Sequence, residues 1–388
     1  MKKLKLRLPV LWVMILFSGC AEHSPRSDGA SFVKVPTELW AGDNAKKINL
    51  FLQTYRDKNA VAIFDWDNTV AKNDIGDATF FWLLRNDGVR HPASFAKQNP
   101  YLTAEAVQDL NRYCPGKPGS FLNTSENKSC ADTLLSIYLD GKTKSGKRDA
   151  WKLTHPDTLE PAYLWVVQFL SGYTPAEVKA MAEIVIEHAM NNSVGTTQFV
   201  GSREVPAYVH VYDAQKQLIQ AMKVDGFDVW IATASAQGLV ELFAAQVGIQ
   251  PDHVIGVRSV LDASGKLTDR LEGCGPYPDG NIEILTYRQG KRCFINKLVY
   301  KLTDPKAQME SKSPTAFAAG DSDTDVFFVK DAKFHLVINR NKPELMCNAF
   351  ENKDQHWIVN PMFLLPKPKK QVPYACARFG ILDQVDAP

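Results

Sequence analysis

Val61-Ala62-Ile63-Phe64-Asp65-Trp66-Asp67-Asn68-Thr69 is the stretch of sequence from which the fold is predicted. Its first four residues form a continuous apolar run, which predicts a strand buried on both faces, as in a parallel sheet covered by helices. Asp65 and Asp67 follow, and in open α/β sheets ligands bind beyond the carboxyl ends of the strands. Because side chains alternate along an extended chain, both acids face one site while Trp66 points elsewhere.

Two later stretches have the same form, an apolar run that ends in polar residues. Residues 227–232 are followed by Thr233, and residues 315–319 are followed by the acidic segment 320–325. Gly320 permits close backbone approach, and the acids suit a hard cation with oxygen ligands. Solvated turn acids are the alternative interpretation of any one strand end. Three such ends of complementary chemistry favour a site for phosphate and a divalent cation.

On these residues the chain resembles the haloacid dehalogenase superfamily, whose members carry four short motifs on a Rossmann-like core. The stretch 65–69 resembles the first motif, Thr233 the second, and the acidic segment 320–325 the fourth. The first and fourth are the specific parts of a resemblance that covers most of residues 46–345.

The third motif of the superfamily is a lysine. Lys291 is the best match, because it follows a glycine just ahead of an amphipathic segment. Lys297 and Lys301 remain alternatives, and for both of them a solvated helix face is the other interpretation.

The resemblance implies an α/β fold with a Rossmann-like parallel sheet core, helices on both faces, and an inserted, mainly helical cap domain. Between Asp67 and Thr233 the chain is far longer than a βα crossover needs, which agrees with an insertion. Helices are predicted at residues 77–86, 103–113, 131–139, 159–171 and 174–191. The predicted organisation is a lipoprotein signal peptide (1–19), a tether (20–45), a catalytic core (46–72 and 200–388) and a cap (73–199).

The resemblance also implies phosphoester hydrolysis through an aspartyl-phosphate intermediate. Asp65 would attack phosphorus, and Asp67 would protonate the leaving alcohol and then activate water. Asp67 argues for a phosphatase, because family members that act as dehalogenases lack this second acid. Thr233, Ala234 and Lys291 would bind the phosphoryl oxygens.

The implied cofactor is Mg²⁺. The Asp65 carboxylate, the Asp67 backbone carbonyl and Asp321 would hold the ion, with waters completing an octahedron. Asp325 would orient Lys291 or a metal-bound water.

Substrate selectivity is expected in the cap, where Asp74 and Asp77 are the predicted substrate-facing acids. With its large cap and its export signal, the chain resembles the exported members of the superfamily that hydrolyse choline phosphate, and phosphoserine hydrolases are broader relatives. The resemblance makes choline phosphate the predicted substrate. A quaternary ammonium group needs aromatic faces, although aromatic residues at helical spacing are alternatively core. The candidates on the cap side are Phe80, Phe81, Trp82, Tyr163 and Trp165. Asp323 and Ser235 are predicted to be a turn acid and a turn or helix-cap residue instead.

The N-terminus has the pattern of an export signal. Four basic residues precede the short apolar segment 8–17, and Ser18-Gly19-Cys20 follows. Small residues before a lone cysteine resemble a bacterial lipoprotein signal, so Cys20 is the predicted lipidation site. The predicted location is a bacterial membrane, with the enzyme facing the periplasm or the cell exterior; an ordinary secretory signal is the alternative.

Composition agrees with an exported enzyme of two domains. Of 388 residues, 45% are hydrophobic, enough to bury a sizeable core. Without the four N-terminal basic residues the chain has 41 basic against 43 acidic residues, which offers no positive electrostatic field that would attract nucleic acid.

Six cysteines remain besides Cys20, and fifteen pairings are open. Local pairing favours Cys114 with Cys130, Cys274 with Cys293, and Cys347 with Cys376.

Two other functions are alternatives, and they account for the two aspartates unequally. A phosphotransferase would use the same aspartates but pass the phosphoryl group to an organic acceptor. A non-catalytic, lipid-anchored binding protein would have no need of both Asp65 and Asp67. The expected partners are therefore a small phosphomonoester and the membrane, and the sequence predicts no oligomeric state.

Overall fold

The computed structural model describes residues 32–311 and 314–381 of the chain. The predicted signal peptide, Cys20 and the first part of the predicted tether lie outside these residues. Within the described ranges, no helix is both long enough and apolar enough to cross a membrane.

A six-stranded sheet lies at the centre of the fold. The strands of the described residues are β1 (Val61–Phe64), β2 (Ala71–Lys72), β3 (Thr197–Val200), β4 (Arg203–Pro206), β5 (His210–Val211), β6 (Asp228–Ala236), β7 (Val254–Val257), β8 (Ser259–Leu261), β9 (Leu267–Leu271), β10 (Phe317–Gly320), β11 (Phe334–Asn339) and β12 (Trp357–Pro361). The central sheet has the order β12-β11-β10-β1-β6-β7, and all neighbours in it are parallel. The predicted α/β fold is thereby confirmed.

The central strand β1 is covered on both faces, as its apolar run predicts. Ile63 lies in a core cluster that includes Phe294 and Leu345. The next side chain, Phe64, points to the opposite face and contacts the Phe317 ring at 5.2 Å between centroids. Phe317 in turn contacts Phe51 at 5.6 Å. The sheet is therefore buried between two layers.

Helices form both layers. In the described residues they are α1 (Asn44–Tyr55), α2 (Ile75–Arg85), α3 (Phe95–Gln98), α4 (Ala104–Tyr113), α5 (Lys128–Asp140), α6 (Pro161–Gln168), α7 (Pro175–Asn191), α8 (Asp213–Val224), α9 (Gln237–Ala244), α10 (Gln289–Leu298), α11 (Pro305–Met309), α12 (Val326–Lys330) and α13 (Pro343–Glu351). Thr174 and Glu177 form the capping box that begins α7, with proline at the first helical position.

The long insertion leaves and returns through a short antiparallel pair, β2 and β5, in which Ala71 lies opposite Val211. Between these strands lie α2 to α7, close to the helices predicted for the cap, and the hairpin β3–β4. This hairpin crosses the predicted boundary at residue 199 and contacts α2 and α5. From Val33 onward the chain forms one compact unit. Its division into core and cap stays a prediction.

The predicted tether is wrong from Val33 onward. Val35 and Trp40 are buried, and the Asn44 side chain donates to the Val359 carbonyl at 2.8 Å. The tether was predicted from the polar composition of the residues before Val33, and this composition does not continue through residues 33–45. Trp40 also packs against the Phe363 ring at 5.2 Å, so this segment is docked beside the edge strand β12.

The proline-rich segment after residue 351 contains a regular strand. Residues Trp357–Pro361 form the edge strand β12, paired in parallel with β11. The prolines in this segment argue against a strand, yet proline is tolerated where a strand ends at a sheet edge.

All three predicted disulfides are present, namely Cys114–Cys130, Cys274–Cys293 and Cys347–Cys376.

Candidate active site

Three strand ends meet at one edge of the sheet, as the sequence predicts. Because β1 lies between β10 and β6, Asp65 follows the central strand, while Asp321 follows β10 and Thr233 lies in β6. The Asp65 N–H donates to the Ala319 carbonyl at 2.9 Å, which ties the first motif to the strand before Asp321. The parallel sheet is what brings these distant residues together.

The Asp65 carboxylate is held from two sides. Its Oδ1 accepts a hydrogen bond from Lys291 Nζ at 2.6 Å, and its Oδ2 accepts one from Thr69 Oγ1 at 2.8 Å. Thr69 also reaches Asp321 Oδ1 at 3.2 Å. Thr69 therefore links the two carboxylates through one hydroxyl, a contact that the sequence did not predict.

Asp67 makes a separate set of contacts. Its Oδ1 accepts from the Ile75 N–H at 2.8 Å, at the start of α2. Its Oδ2 accepts from Ser235 Oγ at 2.7 Å and, more weakly, from Thr233 Oγ1 at 3.3 Å. Trp66, between the two acids, is buried and points away, as predicted.

Of the three candidate lysines, the structure brings Lys291 into the site. Its ammonium is fully buried and also donates to Asp325 Oδ1 at 2.7 Å. Lys297 instead donates to the Gly273 carbonyl at 2.7 Å, and Lys301 is exposed. Lys297 follows Lys291 by about 1.7 helical turns, so the two lysines lie on different faces of α10.

The acidic loop after β10 is folded around Asp325. Asp325 Oδ2 accepts from the N–H groups of Asp321 and Ser322 at 3.0 and 3.1 Å. Gly320 is required here, because a Cβ at this position would lie 2.6 Å from Asp325 Cβ. Both Asp325 oxygens are thus engaged, one by backbone and one by Lys291.

Asp323 lies in the same loop but not at the site. Its Oδ1 accepts from the Leu345 N–H at 3.0 Å, near the beginning of α13. The interpretation of Asp323 as a structural acid therefore agrees with its position.

Burial dominates the electrostatics of the site. It raises the pKa of Asp65 well above its ordinary value; Asp325 raises it further, and Lys291 lowers it. Burial also raises the pKa of Asp67 well above the ordinary value, together with the nearby Asp74 carboxylate. Burial lowers the pKa of Lys291, but the Asp325 and Asp65 carboxylates outweigh it, so this pKa lies above its ordinary value. The lysine is therefore charged at neutral pH.

A cavity of about 350 Å³ opens in front of Asp65 and Asp67. Its walls also hold both predicted substrate-facing acids. The further lining residues that bear on recognition are Asp74, Asp77, Tyr138, Tyr163, Ala234, Ser235 and Arg340. Tyr138 Oη donates to Asp77 Oδ1 at 2.5 Å, and burial, with Asp74, raises the pKa of Asp77 to about 7.

The predicted aromatic residues divide between cavity and core. Phe80, Phe81 and Tyr163 line the cavity, whereas Trp82 lines a second, smaller cavity beside α7. Trp165 is fully buried and packs against Trp151 and Phe169, which is a core role.

The interpretation of Ser235 as a turn or cap residue is wrong. Strand β6 continues to Ala236, past the expected end at Ala232, with an irregular register against β7. This extension carries the Ser235 hydroxyl to Asp67. A small-residue run such as 232–236 has weak strand propensity, so the sequence did not reveal the extension.

Arg340 and Tyr138 are cavity residues that were not predicted from the sequence. Arg340 directly follows β11, so it has the same signal as Asp65, a polar residue at a strand end. Tyr138 lies in α5 and has no comparable signal, because its approach to Asp77 depends on how two helices pack.

Comparisons with known proteins agree with this geometry. No protein-family model matches the chain. The chain is similar to the phosphorylcholine phosphatase of Pseudomonas aeruginosa, with 24% identity over 329 residues, which span 78% of this chain and 81% of that protein. A solved structure from Anaerococcus prevotii, a protein described as functionally unknown, has a TM-score of 0.57 and 18% identity. That alignment covers 82% of this chain and 92% of the other, and it shows a shared fold.

Proposed function

Because this chain belongs with the phosphatases of the haloacid dehalogenase superfamily, we propose that it is a phosphomonoesterase that acts through an aspartyl-phosphate intermediate. The observation that carries the proposal is the position of Asp65. Its carboxylate ends the central strand at the cavity, and Lys291 and Thr69 hold its two oxygens. The adjacent ammonium favours the ionised, nucleophilic form of the carboxylate.

The two aspartates divide the chemistry. Asp65 attacks phosphorus, the ester P–O bond breaks, and the leaving oxygen takes a proton from Asp67. Asp67 then takes a proton from water, which attacks the aspartyl phosphate, releases inorganic phosphate and regenerates Asp65. The raised pKa of Asp67 suits the first step, because it keeps a proton available towards neutral pH. Thr233, Ala234 and Lys291 bind the phosphoryl oxygens.

The donor set fits Mg²⁺. Buried carboxylate oxygens of Asp65, Asp321 and Asp325 lie within 4.8 Å of one another. Asp65, Asp67 and Asp321 line the cavity and Asp325 does not, so Asp65, Asp321 and the Asp67 backbone carbonyl would hold the ion. When bound, Mg²⁺ supplies positive charge that stabilises the phosphoryl oxygens.

The decisive test of the enzyme is Asp65→Asn, assayed with p-nitrophenyl phosphate and Mg²⁺. Turnover is expected to vanish while the fold, followed by circular dichroism, is retained. Asp323→Asn is the matched control, since this acid lies in the neighbouring loop but caps α13. Retained turnover in Asp65→Asn would show that the nucleophile is misassigned. Release of phosphate to water distinguishes the hydrolase from a phosphotransferase, which would phosphorylate an added alcohol.

The proposed substrate is a small phosphomonoester with a cationic leaving group, and choline phosphate is the first candidate. The cavity supports this, because Asp74 and Asp77 lie beside the aromatic rings of Tyr138 and Tyr163. The name of the Pseudomonas aeruginosa relative points to the same ester.

Asp77→Asn tests the substrate. The Michaelis constant for choline phosphate is expected to rise roughly tenfold, because a hydrogen-bonded carboxylate loses its charge. The constant for p-nitrophenyl phosphate, which carries no cation, should stay unchanged. Because the pKa of Asp77 is about 7, choline phosphate should bind more tightly as pH rises through this value. Equal effects on both esters would exclude an ammonium site at Asp77.

The proposed location is a bacterial membrane, to which lipidated Cys20 anchors an exported enzyme. The support is the N-terminal sequence, together with three disulfides that suit an oxidising compartment. Cys20→Ala is expected to move the enzyme from the membrane fraction to the soluble exported fraction. An unchanged distribution would contradict lipidation at Cys20.

A further inference from the structure

Arg340 is a cation in the cavity wall that the mechanism above does not use. Its Nη1 donates to Asp321 Oδ2 at 2.6 Å, and its side chain is 28% exposed, whereas that of Asp321 is 2% exposed. Arg340 lines the same cavity as Asp65 and Asp67. The guanidinium therefore lies beside Asp321 in the cavity wall, where a ligand in the cavity can reach it.

The hydrogen bonding of Arg340 differs from that of Arg292, whose guanidinium is engaged by several acceptors of the protein. Arg292 donates to both oxygens of Asp331 and to the Phe327 carbonyl. Within the described residues, the Arg340 guanidinium makes one hydrogen bond, to Asp321, although a guanidinium has five N–H donors. Most of its donor capacity is thus available at a partly exposed surface of the cavity.

The charge of the cavity calls for such a donor. Asp65, Asp67 and Asp321 are all acids, and the ammonium of Lys291 is already shared by two carboxylates. A phosphoryl group that enters brings further negative charge. Guanidinium is the side-chain group whose planar donors best match phosphate oxygens.

We propose that Arg340 is a further substrate-binding residue, which holds Asp321 with one N–H and donates its other N–H groups to the phosphoryl oxygens of the substrate. This inference rests on the proposed phosphatase function. It assigns to Arg340 a direct contact with the reacting group.

The proposal has a signature that a structural role would not produce. Arg340 and a metal ion share Asp321, so their like charges repel each other, and loss of the guanidinium should tighten metal binding. Loss of its donors should at the same time weaken anion binding. A residue that merely supports Asp321 would weaken both when it is removed.

The test uses Arg340→Gln and Arg340→Lys in the full chain. Arg258→Gln is the matched control, because Arg258 is also 28% exposed and makes one ion pair, with Glu272 at 2.8 Å, away from the cavity lining. Inhibition by orthovanadate and by inorganic phosphate is measured against p-nitrophenyl phosphate. Mg²⁺ affinity is measured by isothermal titration calorimetry, which does not depend on turnover.

In Arg340→Gln, vanadate inhibition should weaken roughly 10- to 100-fold, the range for a lost charge-assisted hydrogen bond, while Mg²⁺ binds more tightly. Arg340→Lys should lie between this variant and wild type, and Arg258→Gln should match wild type. Unchanged vanadate inhibition in Arg340→Gln, or joint weakening of vanadate and Mg²⁺ binding, would overturn the proposal. If wild type itself hydrolysed no phosphomonoester, the proposed function would fail first, which is a separate result.

Discussion

Replacement of Lys291 by methionine removes one charge and keeps a side chain of similar length. The lysine ammonium is fully buried and donates to Asp65 at 2.6 Å and to Asp325 at 2.7 Å. Without it, two buried carboxylates lose their shared cation. Breaking a buried ion pair by removal of one partner costs about 3–5 kcal/mol, so Lys291→Met should lower the free energy of unfolding by about this amount.

Lys297→Met is the matched control on the same helix. Lys297 donates to a single carbonyl, that of Gly273 at 2.7 Å, in a partly buried position. Loss of this hydrogen bond should cost about 1.5 kcal/mol at most. The difference between the two variants isolates the charge at the site from the general effect of a lysine-to-methionine change in α10.

The loss of unfolding free energy in Lys291→Met should depend on pH in one direction. Burial raises the pKa of Asp65, and Lys291 counteracts this, so the variant raises that pKa further. A group whose folded pKa is raised favours the folded state while it is protonated, and this contribution is lost as pH rises through the folded pKa. The gap between wild type and variant should therefore be larger at an alkaline pH than at an acidic pH.

Urea unfolding at both pH values, with disulfides intact and EDTA present, measures the deficit. In parallel, kcat for p-nitrophenyl phosphate should fall about 10²- to 10³-fold in Lys291→Met, as for loss of a donor to developing charge. If Lys291→Met and Lys297→Met proved equally stable and equally active, the assignment of Lys291 to the site would be refuted.

Two more predictions concern the surroundings of the aspartates. The hydrogen bond from Ser235 lowers the pKa of Asp67 against the opposing effect of burial, so Ser235→Ala should raise it. The alkaline limb of kcat/KM for an alkyl phosphomonoester should then move to higher pH, and a shift to lower pH would contradict the contact. Cys274→Ser/Cys293→Ser and Cys114→Ser/Cys130→Ser remove bridges of similar sequence separation, 19 and 16 residues, and each should cost about 3 kcal/mol. Only removal of the Cys274–Cys293 bridge should lower kcat, because Cys293 lies on α10 two residues after Lys291. Equal kcat values in the two double variants would show that this bridge does not support the lysine.

Local sequence was sufficient to predict the frame of the site. An apolar run such as Val61–Phe64 forms a strand buried on both faces, and polar residues that follow parallel strands gather at one edge of the sheet. Asp65, Thr233 and Asp321 lie together for this reason. The helices of the insertion were predictable as well, because their apolar spacing and capping residues act over a few positions.

Tertiary structure alone decided which side chains complete the site. The glycine before Lys291 favoured it over Lys297 on the same helix, but the packing of α10 is what brings Lys291 to Asp65 and leaves Lys297 elsewhere. Arg340 reaches Asp321, and Tyr138 reaches Asp77, through contacts between separate elements.

The physical reason is the separation along the chain of the residues that interact. Periodicity and turn chemistry determine an element from its own residues. A hydrogen bond between two elements depends instead on the position and rotation of both, and these are set by the packing of the whole core. The sequence by itself thus determined that two aspartates end a central buried strand; the fold decided which lysine, serine and arginine surround them.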